Sequence, residues 1–220
     1  YYQKYPKLLK YGSLLFWWLM AKEVYDIDLS SEVEKVAPME TMLLLSEELL
    51  VDQEAIKELS SGATNFLYLL EAYSSKKVDT ATLFALVKNE KVATDRDGIK
   101  RVFYFLSHLL IGETYFYTRE RVDDVSLCRE IVSRLEKIIR QNYFRVSLDM
   151  KFEFLVCCRI IKYESGLEEI IRGEAERSMS ETGNFLVDTH NAWIHGFGHK
   201  FARSEHRNVL YLTACSRILA

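Results

Sequence analysis

Proline and glycine are scarce in this chain: two and nine residues in 220. Both are strong local punctuators, and their scarcity argues against a turn-rich β fold and for long helices. Cysteine is also sparse. Cys128, Cys157, Cys158 and Cys215 form no C-x-x-C, and adjacent Cys157 and Cys158 do not bridge readily to each other. That argues against a disulfide framework and for reduced, buried thiols in a cytoplasmic protein. A charge excess is missing too. The formal net charge is −3 with both signs interspersed, so no electrostatic footprint for nucleic acid and no polybasic membrane anchor is present. The apolar run Leu14-Leu-Phe-Trp-Trp-Leu-Met20 falls far short of the ~20 residues that span a bilayer. Phosphate-cradling glycine loops, G-x-S-x-G elbows and Cys–His nucleophile signatures are absent. The chain opens on Tyr1-Tyr2 without an initiator Met, and is expected to be a fragment of a slightly longer product.

What remains is a globular composition, 49% hydrophobic, sufficient for a sizeable core. Helical spacing predicts a first helix from Pro6 to about Tyr25. It is apolar over most of its circumference, with Phe16 and Trp17 opposite Leu8, Leu15, Trp18 and Leu19. A helix of this kind is buried on several faces or supplies a homodimer surface. Ser30 or Ser31 is expected to cap a second helix, and Pro38 to open a third ending near Leu50. Asp52 caps a short helix through Leu59, and Ser60-Ser61-Gly62 marks a turn. An apolar helix then runs from Thr64 to Tyr73, and Asp79 caps another over Thr80–Asn89. Thr94-Asp95-Arg96-Asp97-Gly98 starts the next helix, which runs to about Tyr117. Asp123-Asp124 opens a helix to about Gln141. Ser147 caps one through Tyr163, Leu167–Ser178 is amphipathic, and Ser204 caps a last helix.

No convincing strand appears, and the fold class is all-α. Helix pairs start near Thr64, Gly98 and Ser147, each with one helix more apolar than its partner. This pattern matches stacked α-hairpins, an α/α toroid- or solenoid-like arrangement. No linker divides the chain, so residues 1–220 read as one domain.

Site chemistry concentrates between Asp188 and His206, a stretch that holds every histidine except His108. On a continuous helix His195 and His199 lie one turn apart, with His206 close to the same stripe. With His190 and Asp188 they form a candidate set for a divalent transition metal, the cofactor such imidazoles suit. Gly196 and Gly198 weaken the helix and favour a loop, which still gathers ligands. The set lacks H-E-x-x-H and the E-x-x-H of di-iron bundles, and a solvated histidine-rich loop with no ligand explains the same residues. Trp193 beside it is a ligand-contact candidate, although a core role is the commoner one for tryptophan.

His108 sits one helical turn from Tyr104. Around a central cavity these two would meet Glu205, His206 and Tyr211 from the last helix. Such a His–Tyr–carboxylate group suits general acid–base work near neutral pH. Glu113 and Tyr115, further along the His108 helix, are weaker candidates. Arg203 and Arg207 flank His206 and suit an anionic group, or are ordinary solvated charge.

Tyr104-Phe-Leu-Ser-His108 resembles the Tyr-x-Leu-Thr-His motif of an uncharacterised group of all-helical bacterial proteins, some linked to natural-product gene clusters. Glu205-His206-Arg-Asn-Val-Leu is similar to their late Tyr-His-Thr-Thr-Leu-Val motif but lacks the Thr pair. The resemblance implies an α/α barrel-like arrangement with His108 and His206 as the positions of interest, and no established activity. The sequence thus points to an enzyme, or an accessory component of one, acting on a small molecule or peptide in bacterial specialised metabolism. The alternative is a non-catalytic helical module that binds a peptide or protein partner.

Overall fold

Local capping chemistry sets five of the helix starts. The computed structural model describes residues 1–92, 95–119, 122–179, 183, 185 and 205–216. Asp52, Asp79, Asp95 and Asp124 each accept a backbone N–H three residues on, from Ala55, Thr82, Gly98 and Leu127. Ser147 does the same for Met150. Each bond satisfies one of the four donors that a helix start leaves open. These residues open α4 (Gln53–Leu59), α6 (Thr80–Lys88), α7 (Arg96–Glu113), α8 (Val125–Asn142) and α9 (Leu148–Ile160).

The remaining helices are α1 (Leu8–Tyr25), α2 (Ser30–Val36), α3 (Met39–Val51), α5 (Ser61–Ser74), α10 (Glu168–Ser178) and α11 (Glu205–Cys215). Among the described residues there is no strand, only one antiparallel bridge between Met179 and Phe185. The all-α class stands. Several boundaries differ from the sequence expectation, and α9 ends at Ile160 rather than Tyr163. At α2 neither serine caps: Asp28 Oδ1 takes both the Ser30 N–H and the Ser30 hydroxyl. Helix α5 begins at Ser61, so Gly62 lies inside it and only Ser60, at φ +49°, makes the turn. Helix α7 stops at Glu113, where the backbone turns left-handed.

The described chain divides into two compact units, Tyr1–Ile131 and Val132–Ala220, with the division inside α8. In the first unit α5 is the central element and packs on α1, α3, α4 and α7. It can do so because Phe66, Leu67, Leu69 and Leu70 cover its circumference and all are buried. Each such side chain contributes ~1.5–3 kcal/mol on burial. Helix α1 offers Leu8, Leu15, Trp18 and Leu19 inward, and Trp18 Nε1 donates to Ser30 Oγ at 3.0 Å. Trp17, its sequence neighbour, is 68% exposed.

In the second unit α9 is buried on every side and packs on α10 and α11. Phe152 meets Phe185 and Tyr211 with ring centroids 5.1 Å apart in both cases. Asn208 brackets the Phe185 backbone, accepting from its N–H at 3.0 Å and donating to its carbonyl at 3.1 Å. No helix among the described residues is long and apolar enough to cross a membrane.

Candidate functional site: the polar seam of the first unit

Two core helices carry polar residues on the faces they turn to each other. On α5 these are Asn65, Tyr68 and Glu71, spaced by three. On α7 and just beyond it they are Tyr104, His108, Gly112 and Tyr115, spaced by four, four and three. Such spacings keep residues on one side of a helix, and α5 and α7 pack directly.

At one end of the seam His108 Nδ1 lies 2.6 Å from Asn65 Oδ1. An amide oxygen only accepts, so the ring proton sits on Nδ1. Tyr104 stands edge-on to the imidazole, centroids 6.3 Å apart. In the middle, Tyr68 lies flat against the α7 backbone at Gly112. A Cβ there would come within 2.1 Å of Tyr68 Cδ2, so only glycine admits the ring.

At the other end the seam opens into a small polar cleft lined by Tyr68, Glu71, Lys77, Val78, Glu113, Tyr115, Arg119 and Asp123. Glu71 is 5% exposed. Its Oε1 accepts from the Tyr115 hydroxyl at 2.7 Å and from Lys77 Nζ at 3.0 Å, and its Oε2 from the Val78 N–H at 2.8 Å. Glu113 faces the same space. The Thr80 hydroxyl donates to its Oε1 and the Asp123 N–H reaches its Oε2 at 3.4 Å. The Tyr68 hydroxyl lies 2.6 Å from Thr80 Oγ1 and 3.4 Å from Glu113. One phenol has one proton, and the shorter contact takes it. The result is a chain from Tyr68 through Thr80 to Glu113.

Both phenols are held neutral. Burial, reinforced by the negative charges of Glu113 and Glu71, pushes Tyr68 well above its ordinary range. Burial and then the bond to Glu71 push Tyr115 up to about 12. The same cause acts on Cys128, whose thiol burial and the Glu113 charge push up to about 12. It is thus an inert core group rather than a nucleophile. Lys77 has its ammonium form favoured by its hydrogen bonds to Glu71 and Asp123. Arg119 lies over the Tyr115 ring, its guanidinium carbon 3.5 Å from the centroid. The cleft therefore offers carboxylates as acceptors or bases, neutral phenols as donors, and two cations at the rim.

Backbone strain lies beside it. Tyr115, Phe116 and Tyr117 have φ of +45°, +56° and +71°, with no glycine among them. A left-handed conformation costs an L-residue about 1–2 kcal/mol, and strain of this kind clusters at sites that need it.

The sequence-derived candidates distribute differently. Tyr104 and His108 are half-buried and lie along the seam, outside the cleft lining. Glu205 and His206 are exposed at the start of α11, in the second unit. Arg207 is buried there and grips Asp149 with two bonds, Nε to Oδ1 at 3.1 Å and Nη2 to Oδ2 at 2.9 Å. Tyr211 is part of the aromatic cluster with Phe152 and Phe185. Asp188, His190, Trp193, His195, His199 and Arg203 lie outside the described residues. Among the described residues no group of three or more His, Cys, Asp or Glu side chains is placed to hold a metal ion.

Tyr68, Glu71, Lys77, Thr80 and Arg119 were not legible as site residues. The usable signal was Glu71, a lone carboxylate at the end of the apolar run Phe66-Leu-Tyr-Leu-Leu. No known protein family, no curated protein and no solved structure matches this chain.

Proposed function

We propose that the first unit binds a small molecule, or the end of a peptide, that carries an amino group, in the cleft at the C-terminal ends of α5 and α7. One observation carries this reading. The buried Glu71 carboxylate already holds an ammonium there, that of Lys77, delivered from an exposed connection and shared with Asp123 at 3.3 Å. An incoming ammonium takes the same seat at Glu71, with Glu113 as a second acceptor. Arg119 at the rim suits an anionic group of the same ligand. In an enzyme or accessory component, Glu71 and Glu113 would supply bases and the neutral phenols would supply donors.

The wider reading comes from sequence pattern alone. It comprises α-hairpins stacked as an α/α toroid or solenoid, a pocket shared by His108 and His206, and a place in bacterial specialised metabolism. The unbridged thiols Cys128, Cys157 and Cys158, all buried, support a cytoplasmic setting.

A thermal-shift series with putrescine, L-lysine and glycinamide, against acetate and sulfate, tests the cleft. The amines raise Tm, Lys77→Ala enlarges the rise by freeing the seat, and Glu71→Gln abolishes it. No response to any amine, or an undiminished response in Glu71→Gln, overturns the reading.

A second reading is favoured by α1. Leu9, Trp17 and Val24 share its outward face, and Tyr25 and Ile27 beyond them are also exposed. Apolar surface of this kind suits a partner protein or a second copy of the chain. Sedimentation of the Trp17→Glu variant checks it: a dimer should become a monomer with little change in stability.

A further inference from the structure

The chain leaves α7 by a left-handed turn that folds back over the cleft. The Phe116 N–H donates to the Ile111 carbonyl at 3.0 Å and the Arg119 N–H to the Thr114 carbonyl at 2.9 Å. The Thr118 hydroxyl closes on the Tyr115 carbonyl at 2.8 Å. These bonds aim Tyr115 back at α5, where its hydroxyl ends on Glu71, and they lay Arg119 on the outer face of the ring. Two opposed tendencies meet here. Three side-chain-bearing residues sit in the region that favours glycine. Against them stand these hydrogen bonds of the turn, the Tyr117 N–H on Thr114 Oγ1 at 3.2 Å, the charge-assisted bond of Tyr115 to Glu71, one cation–π contact and the burial of Tyr115.

We infer that residues 115–119 form a latch over the Glu71–Glu113 cleft. It is closed while Tyr115 donates to Glu71, and it relaxes toward right-handed backbone when that bond is lost. Glu71 Oε1 already accepts from Lys77 and Tyr115 at once in the closed latch, so opening gives an incoming ammonium access to the seat that Lys77 holds. The latch is the gate of the proposed cleft and rests on that reading for its purpose, though its mechanics are independent of any ligand. Among the anchors of the closed state, the Tyr115–Glu71 bond is the inner one and the Arg119 contact the outer. Removing the phenolic hydroxyl cuts the inner one, and placing glycine in the turn removes part of the spring.

Amide hydrogen exchange on the whole chain tests this without a ligand. In Tyr115→Phe, exchange at the Phe116 and Arg119 amides rises about tenfold or more while the α5 core amides change less than about twofold, the pattern of local opening. In Tyr117→Gly the same two amides slow several-fold, because glycine holds the closed turn without steric cost. Carbodiimide coupling of glycinamide to Glu71, read by mass spectrometry, rises in Tyr115→Phe and falls in Tyr117→Gly. Unchanged exchange at Phe116 and Arg119 in Tyr115→Phe overturns the latch. So does an equal rise at all amides, or faster exchange in Tyr117→Gly. Local opening without increased Glu71 coupling overturns its position over the cleft. A failed amine series with these exchange results intact removes the ligand and leaves the latch.

Discussion

Both units bury charge, and they do so to different ends. In the second unit Lys151 is nearly inaccessible. Its Nζ lies 2.8 Å from both oxygens of Glu174 and 3.9 Å from the Tyr143 ring centroid, and the Tyr143 hydroxyl donates to the same carboxylate at 2.6 Å. Arg207 and Asp149 form a similar two-bond pair. These groups face one another, with short bonds and packed rings around them. In the first unit the charges of Glu71, Glu113, Lys77 and Arg119 face a common space. The lesson is that burial of a charge is not by itself a sign of function. A pair matched within the chain stabilises or positions. A carboxylate whose cationic partner comes from an exposed connection has a partner that can be exchanged.

The largest expected effect breaks the contrast at its base. Gly112→Ala puts a methyl group into the Tyr68 ring and should cost ~2–3 kcal/mol, as overpacking of a core does. Urea unfolding measures it, and the amine response of the cleft should be lost with it. Next, Lys151→Met sharpens the contrast. It should cost about 2 kcal/mol, below the usual figure for breaking a buried pair because Glu174 keeps 29% of its side-chain surface in water. It should leave the amine response of the first unit unchanged. A lost response would mean that the two networks are not independent.

The smallest effect is a pH dependence. The Tyr115 phenol is raised, chiefly by burial and then by Glu71, from an ordinary 10.0 to about 12. The folded chain therefore holds this proton more tightly than the unfolded one. The stability it contributes is complete below pH ~10 and is lost as pH rises through ~12. Tm measured across that interval should fall, and fall less steeply in Tyr115→Phe. An identical slope in the two proteins would show that the Tyr115–Glu71 bond does not carry the dependence.

The helices were legible because their causes are local. A capping aspartate needs only the N–H three residues on, and Asp52, Asp79, Asp95 and Asp124 behave as expected. Apolar spacing placed α8 within a residue or so, with Ile131, Leu135 and Ile138 of the expected stripe buried and Leu127 only partly so. Ser30 misled because a better acceptor, Asp28, stood two residues before it. The site was hardly legible. Of the histidines that drew attention by their number, His108 is held by Asn65 and His206 is exposed at the start of α11, while His190, His195 and His199 lie outside the described residues. Glu113 and Tyr115 were visible as weak candidates, Glu71 showed only as a lone carboxylate ending an apolar run, and nothing in the sequence announced Lys77.

Sequence alone thus determined the helical class, most helix starts and the polar interruption at Glu71, because hydrogen bonds and periodicity within a few residues fix them. Only the tertiary structure decided that Tyr68 rests on Gly112 and that Tyr115 meets Glu71 across 44 positions of chain. It alone decided that a turn without glycine runs left-handed to make that meeting. Those features depend on which helix faces pack together, and no local propensity encodes that choice.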